Sequence, residues 1–277
     1  MARLTGNRQL CDATGRPLFT LGAVNRLPVR EKEGIYARLL PQRLLDLLGI
    51  AGSVASHPLL TVIAPEGLSF ARIEVRRAPE DTDTVFFLEL SDTPYRQMEL
   101  SFCIIADPAA PRFNVDRHLT TGDSNYFTSL GRNIPEEIRA MKAGLFPNQT
   151  RRGLRLFVDF FPLLERFADA LGMDMILGEP LTYDNAIRYE RYGFDYITGK
   201  RLMQAIDVGF GPGGAYRRRL DGSSPFRMPG QEQTIFGRSW AIHDGILDEP
   251  WDGVRIYKMI GVHARINTFQ SGKSEGS

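Results

Sequence analysis

The sequence has little with which to build a cross-link or a metal cage. Cysteine occurs twice in 277 residues, at Cys11 and Cys103, which argues against a disulfide framework and against the paired spacing of a zinc site. The expectation is two reduced thiols in a cytoplasmic protein. The four histidines, His57, His118, His243 and His263, include no pair at the H-E-x-x-H interval, so no metal site is expected. An excess of one charge is also missing: 34 Lys plus Arg against 33 Asp plus Glu leave a net charge of +1. That gives no field to draw the chain to nucleic acid or to an anionic membrane, and neither is expected as a partner. No stretch approaches the roughly 20 consecutive apolar residues that span a bilayer, and the opening residues 1–8 lack the apolar core of a signal peptide.

What is present suffices for a full core, since 43% of the residues are hydrophobic and 24% charged. Leu18, Phe19 and Leu21 to Val24 predict a first strand within residues 15–28. Apolar residues from Ile35 to Ile50 recur at intervals of three and four, which predicts helices broken at Pro41. Four β-rich runs follow, Leu59–Ala64, Phe70–Arg76, Val85–Leu90 and Met98–Ala106, separated by turn residues as in antiparallel hairpins. Asp107 to Arg132 reads as an ordered loop, and Ile134 to Gly144, opening Pro135-Glu136-Glu137, as a helix start.

From Phe157 to Leu171 the spacing predicts a helix ending at Gly172. A rival pattern occupies the same place: Leu154, Leu156, Val158 and Phe160 alternate, so residues 154–160 also suit a strand, with Pro162 opening a shorter helix. A buried strand over Met173–Leu177, a helix over Asn185–Tyr192 closed by Gly193, and a strand over Phe194–Ile197 come next. A Gly-rich turn region through Gly214 and strands over Thr234–Ile242 and Val254–Ile266 complete the chain, and the tail from Gln270 is expected to be disordered.

Two segments carry a resemblance. Leu145-Phe146-Pro147-Asn148-Gln149-Thr150-Arg151-Arg152-Gly153-Leu154-Arg155 resembles the strand end, proline and pyrophosphate loop of the GNAT superfamily, the acyl-CoA-dependent N-acyltransferases, with Gly153 the one loop glycine kept. Tyr189-Glu190-Arg191-Tyr192-Gly193-Phe194 is similar to that family's Y-E-x-x-G-F helix ending. The resemblance implies an α/β (α+β) fold, with a mixed, mainly antiparallel central sheet flanked by helices. It implies an acyltransferase-like domain over residues 1–200, with 201–269 as a C-terminal extension. It also implies acetyl-CoA or another acyl-CoA as co-substrate and a small-molecule amine as acceptor. Arg151, Arg152, Gly153, Leu154 and Arg155 would hold the cofactor, and Tyr189 would protonate the departing thiolate. The physical basis of such a loop is general: free amides at a helix N-terminus and the helix dipole favour a diphosphate.

The runner-up function is a non-catalytic ligand-binding or assembly protein that keeps the fold, and a third is hydrolysis at Ser124 within Gly122-Asp123-Ser124-Asn125. Glu136, Glu137 and His118 are candidate general bases, with Asp116 to orient His118. Gly209-Phe210-Gly211-Pro212-Gly213-Gly214 before Arg217-Arg218-Arg219 lacks the Gly-Lys-Ser/Thr of a phosphate loop and reads as a flexible turn beside a solvated basic run. Tyr257, Met259 and Ile260 on the last strand suit a homodimer edge.

Overall fold

The computed structural model describes residues 9–52, 54–125 and 131–270. The opening residues 1–8 and, apart from Gln270, the tail expected to be disordered lie outside them. Among the described residues seven strands, β1 (Leu60–Ile63), β2 (Phe70–Val75), β3 (Phe86–Thr93), β4 (Gln97–Ile105), β5 (Met175–Gly178), β6 (Asp195–Thr198) and β7 (Arg255–Met259), form a mixed, mainly antiparallel sheet in the order β1-β2-β3-β4-β5-β7-β6. The helices flanking it are α1 (Leu21–Asn25), α2 (Val29–Tyr36), α3 (Gln42–Leu47), α4 (Ile134–Lys142), α5 (Phe157–Ala170), α6 (Tyr183–Arg191), α7 (Lys200–Phe210), α8 (Ala215–Arg218) and α9 (Ile235–His243). The chain divides into two compact units, one of residues 1–108, 153–178 and 257–263, the other of 109–152, 179–256 and 264–277.

In the first unit the hairpins follow from the sequence. β2, β3 and β4 pair antiparallel, with Ile73 opposite Leu88 and Leu88 opposite Cys103. Phe86, Leu88 and Leu90 alternate into the core, and a register shift at Glu89/Leu90 bends the ladder. The α5 helix lays Phe160 edge-on against Phe86, with ring centroids 5.5 Å apart, and Phe167 against Tyr36 at 6.0 Å. The strand alternative for residues 154–160 does not form. Leu156 and Phe160 are buried at helical spacing while Val158, on the opposite side, is 55% exposed, so the alternation joins an exposed apolar residue to a helical face rather than marking one face of a strand. Pro162 therefore lies inside α5 and denies the Val158 carbonyl its usual donor.

Several expected elements are corrected. Residues 15–28 hold α1 rather than a strand: the Thr20 hydroxyl accepts from the Ala23 amide at 3.0 Å, and Asp92 Oδ2 accepts from the Leu21 amide at 2.8 Å. Thr234–Ile242 is α9, capped the same way by Thr234, whose hydroxyl accepts from the Gly237 amide at 2.9 Å. Its buried run Trp240-Ala241-Ile242 faces protein on most sides, and that hid the helical period. The Gly-rich turn region begins instead as α7, whose buried Met203, Ile206 and Phe210 do have helical spacing. Val254–Ile266 is a strand only over β7, and Gly261 turns the chain at φ +73°.

In the second unit α4 starts where Pro135, Glu136 and Glu137 favour it, and ends with Arg139 and Lys142 in its last turn. Trp240 is fully buried, stacks on Phe226 at 5.1 Å and donates its indole N–H to the Leu145 carbonyl at 3.0 Å. α6 ends at Gly193, whose φ of +88° lets the chain turn at once into Phe194 and β6.

Candidate functional site

The Gly153 turn belongs to the first unit. β4 and β5 are parallel, and their ladder runs from the pair Gln97–Met175 to the pair Leu100–Gly178, while β4 itself continues to Ile105. At its far end Ala106 forms an isolated antiparallel bridge with Gly153. A Cβ on Gly153 would stand 3.1 Å from the Ile105 carbonyl oxygen, so this close approach of two main chains suits glycine. Arg155 then adopts a left-handed φ of +58°, and α5 starts at Phe157 without a side-chain cap. The turn thus delivers the open N-terminus of a 14-residue helix to the carboxyl end of a strand whose parallel partner has stopped. Asp159 sits in the first turn and is paired to Arg43 at 2.9 Å.

The remaining residues of the expected loop are distributed otherwise. Gly153, Leu154 and Arg155 lie in the first unit, Arg151 and Arg152 in the second. Arg155 and Arg152 are exposed, and the Arg151 guanidinium donates to the Ala110 carbonyl. Tyr189 lies on α6 in the second unit, half-buried, with its ring edge-on to Phe194 at 5.0 Å. The Phe194 amide donates to the Tyr189 carbonyl at 3.2 Å, so the motif Tyr189 to Phe194 is one closed helix end.

Other candidates fall differently. The Gly209–Gly214 turn is packed rather than flexible: a Cβ on Gly209 would meet the Tyr216 ring at 2.3 Å, and one on Gly214 the Gly209 carbonyl oxygen at 2.2 Å. Its basic run is engaged too, Arg217 by Glu232 at 3.4 Å and Arg219 by Asp248 at 2.6 Å. Ser124 is exposed in an isolated bridge with Arg117, and no hydrogen bond joins it to a histidine among the described residues. Asp116 does not orient His118. It takes a two-pronged bond from Arg112, at 3.1 and 2.8 Å, while His118 Nδ1 is held by Thr121.

The structure gathers Glu137 and His243, which nothing in the sequence connects. His243 Nε2 lies 3.1 Å from Glu137 Oε1, and Arg132 bonds both Glu137 and Asp244. Asp244 also accepts from Ser224 and Arg227, each at 2.8 Å. Burial opposes ionisation of Glu137, but hydrogen bonds from His243 and Arg132 outweigh it and hold the carboxyl below its ordinary value. Asp244 is lowered in the same way, burial being outweighed by Arg132 and Ser224. With Glu137 only 1% exposed and its oxygens occupied, this cluster is built to hold α4 against α9.

Glu136 and His118 share a different place, a cleft of about 400 Å³ in the second unit lined also by Asn114, Arg117 and Asn133. Nothing in the sequence pairs Arg117 with Asn133. The available signal was Asn133 standing directly before Ile134-Pro135-Glu136-Glu137, the composition of a helix start. No known protein family, curated protein or solved structure matches the chain. No helix among the described residues is long and apolar enough to cross a membrane.

Proposed function

We propose that the chain is an acyl-CoA-dependent N-acyltransferase acting on a small amine. One observation carries the reading: the parallel ladder of β4 and β5 ends at Leu100 and Gly178, where β5 stops, and the Gly153 turn meets the continuing end of β4 just before α5 begins. Ligands of parallel strand pairs bind outside the carboxyl ends of the strands, where crossover helices start. A diphosphate suits that position because the dipole of α5 is positive at its start, although the Asp159 and Phe160 amides are already taken by the Leu156 carbonyl. Gly153, Leu154 and Arg155 supply the main chain of the turn, and Arg155 is exposed and cationic beside it. Asp159 works against an anion, an effect its partner Arg43 offsets.

In this reading the amine nitrogen attacks the thioester carbonyl, the C–S bond breaks and the sulfur leaves with the electron pair. The resemblance assigns to Tyr189 the proton given to that sulfur, and the proton lost by the amine goes to a base or to water. A second reading, a ligand-binding or assembly protein with the same architecture, draws on Arg151, whose guanidinium is already committed to the Ala110 carbonyl.

Calorimetric titration with acetyl-CoA tests the proposal. Saturable heat and a rise in melting temperature are expected, and neither effect at about 1 mM ligand would discard it. Binding without thiol release across a panel of amines would favour the second reading.

A further inference from the structure

The cleft of the second unit is a built site of mixed polarity. Its floor is Asn133, the N-cap of α4, which is only 5% exposed. Asn133 Nδ2 donates to the carbonyls of Asn114 and Arg117, each at 3.1 Å. Two carbonyl acceptors fix which end of the amide is nitrogen, so Oδ1 must be the acceptor. That Oδ1 is buried and has no partner among the described residues. A buried acceptor of this kind is met by a donor from a water or a ligand, since leaving it unmet is unfavourable.

The rest of the lining divides by charge. On the positive side stands Arg117, whose guanidinium has no hydrogen bond or ion pair among the described residues, with its main chain pinned by the bridge to Ser124. The first-turn amides of α4 at Ile134 and Glu136 add to it, Pro135 having none. On the negative side stands the Glu136 carboxylate, anchored by the Asn114 amide at 2.8 Å and by Arg139. A simple anion would face Glu136 and leave Asn133 Oδ1 unmet, and a simple cation would face Arg117. A small ligand carrying both charges meets the two groups without a partner among the described residues, Arg117 and Asn133 Oδ1, and sets its positive end beside Glu136, which is 2.8 Å from the Asn114 amide and also paired to Arg139.

We propose that this cleft binds a free α-amino acid, its carboxylate at Arg117 and the start of α4, its ammonium at Asn133 Oδ1 and Glu136. Leu119, exposed and on the rim, leaves the side chain an apolar margin. The assignment stands apart from the acyltransferase reading, because it is tested without acyl-CoA.

The test is ligand-observed NMR on the full chain with glycine, L-serine and L-leucine, each alongside its N-acetyl and carboxamide forms. Saturable binding of at least one free amino acid is expected, with both blocked forms at least about tenfold weaker. Arg117→Gln is expected to weaken binding about tenfold at an unchanged melting temperature, and Glu136→Gln to weaken the free amino acid but not its N-acetyl form. No saturation by any of the three up to about 50 mM would overturn the proposal. So would propionate binding as tightly as the amino acids, or an Arg117→Gln protein that binds undiminished.

Discussion

His243 Nε2 and Glu137 Oε1 meet at 3.1 Å although 106 residues separate them in sequence. The contact joins the end of α9 to the first turn of α4, and Arg132 completes it from the residues before α4. Glu137→Gln keeps the shape and removes the charge that Arg132 and His243 face. A loss of about 3 kcal/mol is expected in urea unfolding at neutral pH, the range for breaking a buried pair from one side.

The acid limb follows from the same group. The folded carboxyl of Glu137 titrates below its ordinary 4.5, so its contribution is full above that value and disappears as pH falls through the lower, folded one. Asp244 acts in the same direction from its ordinary 3.8. Stability measured from pH 6 down to pH 3 is expected to fall less steeply in Glu137→Gln than in the parent chain. Parallel slopes would remove Glu137 from the acid transition.

The opposite limb belongs to the tyrosines. Burial pushes Tyr183 up to about 12, aided by the charges of Asp207 and Glu190 and opposed by Arg238. Tyr36 and Tyr196 are also raised, chiefly by burial. A raised phenol stabilises the fold fully below its ordinary 10.0, and that contribution is lost as pH climbs toward the folded value. Alkaline unfolding is therefore expected between pH 10 and about 12. Tyrosinate absorbance should rise with the loss of helical circular dichroism rather than ahead of it.

Trp240→Phe tests the core of the second unit. It keeps an aromatic ring beside Phe226 but strips the Leu145 carbonyl of its indole donor and leaves a void. A cost of about 2–4 kcal/mol is expected from denaturant titration, cavity and unmet acceptor together. A change under about 1 kcal/mol would mean that the site collapses freely.

Tyr189→Phe separates chemistry from packing. The ring contact with Phe194 survives the change, so on the proposed function acetyl-CoA affinity is expected to hold while turnover falls about 100-fold. Unaltered turnover would free Tyr189 of its proposed role. Gly153→Val is the companion: with only 3.1 Å from its Cβ position to the Ile105 oxygen, the added bulk is expected to displace the turn and, on the proposed function, to weaken acetyl-CoA binding.

Much of the first unit was legible because its elements obey one period each. The hairpins β1 to β4 alternate and are punctuated by Pro, Glu, Gly and Asp, and α5 repeats at three and four up to Gly172. α1 and α9 were not legible, because a short or all-round buried helix shows no polar face, and the informative residues were the single caps Thr20 and Thr234. The glycines around residue 210 are turn signals that overlie Met203, Ile206 and Phe210, whose spacing marks α7. Glu136 and His118 could be named as ionisable residues, but their cleft could not. It exists because Asn133 ties down the loop at Asn114 and Arg117, a closure made in space rather than along the chain.

The backbone passes between the two units after Pro108, Arg152, Gly178, Ile256 and His263. Neither unit can therefore be cut out as one continuous fragment, and expression of residues 1–108 alone would lack α5, β5 and the end of β7. During synthesis the first unit must wait for residues 257–263 before its last strand can dock, by which time nearly all of the second has left the ribosome. The two halves are thus committed to mature together, and a premature stop late in translation would leave both unfinished.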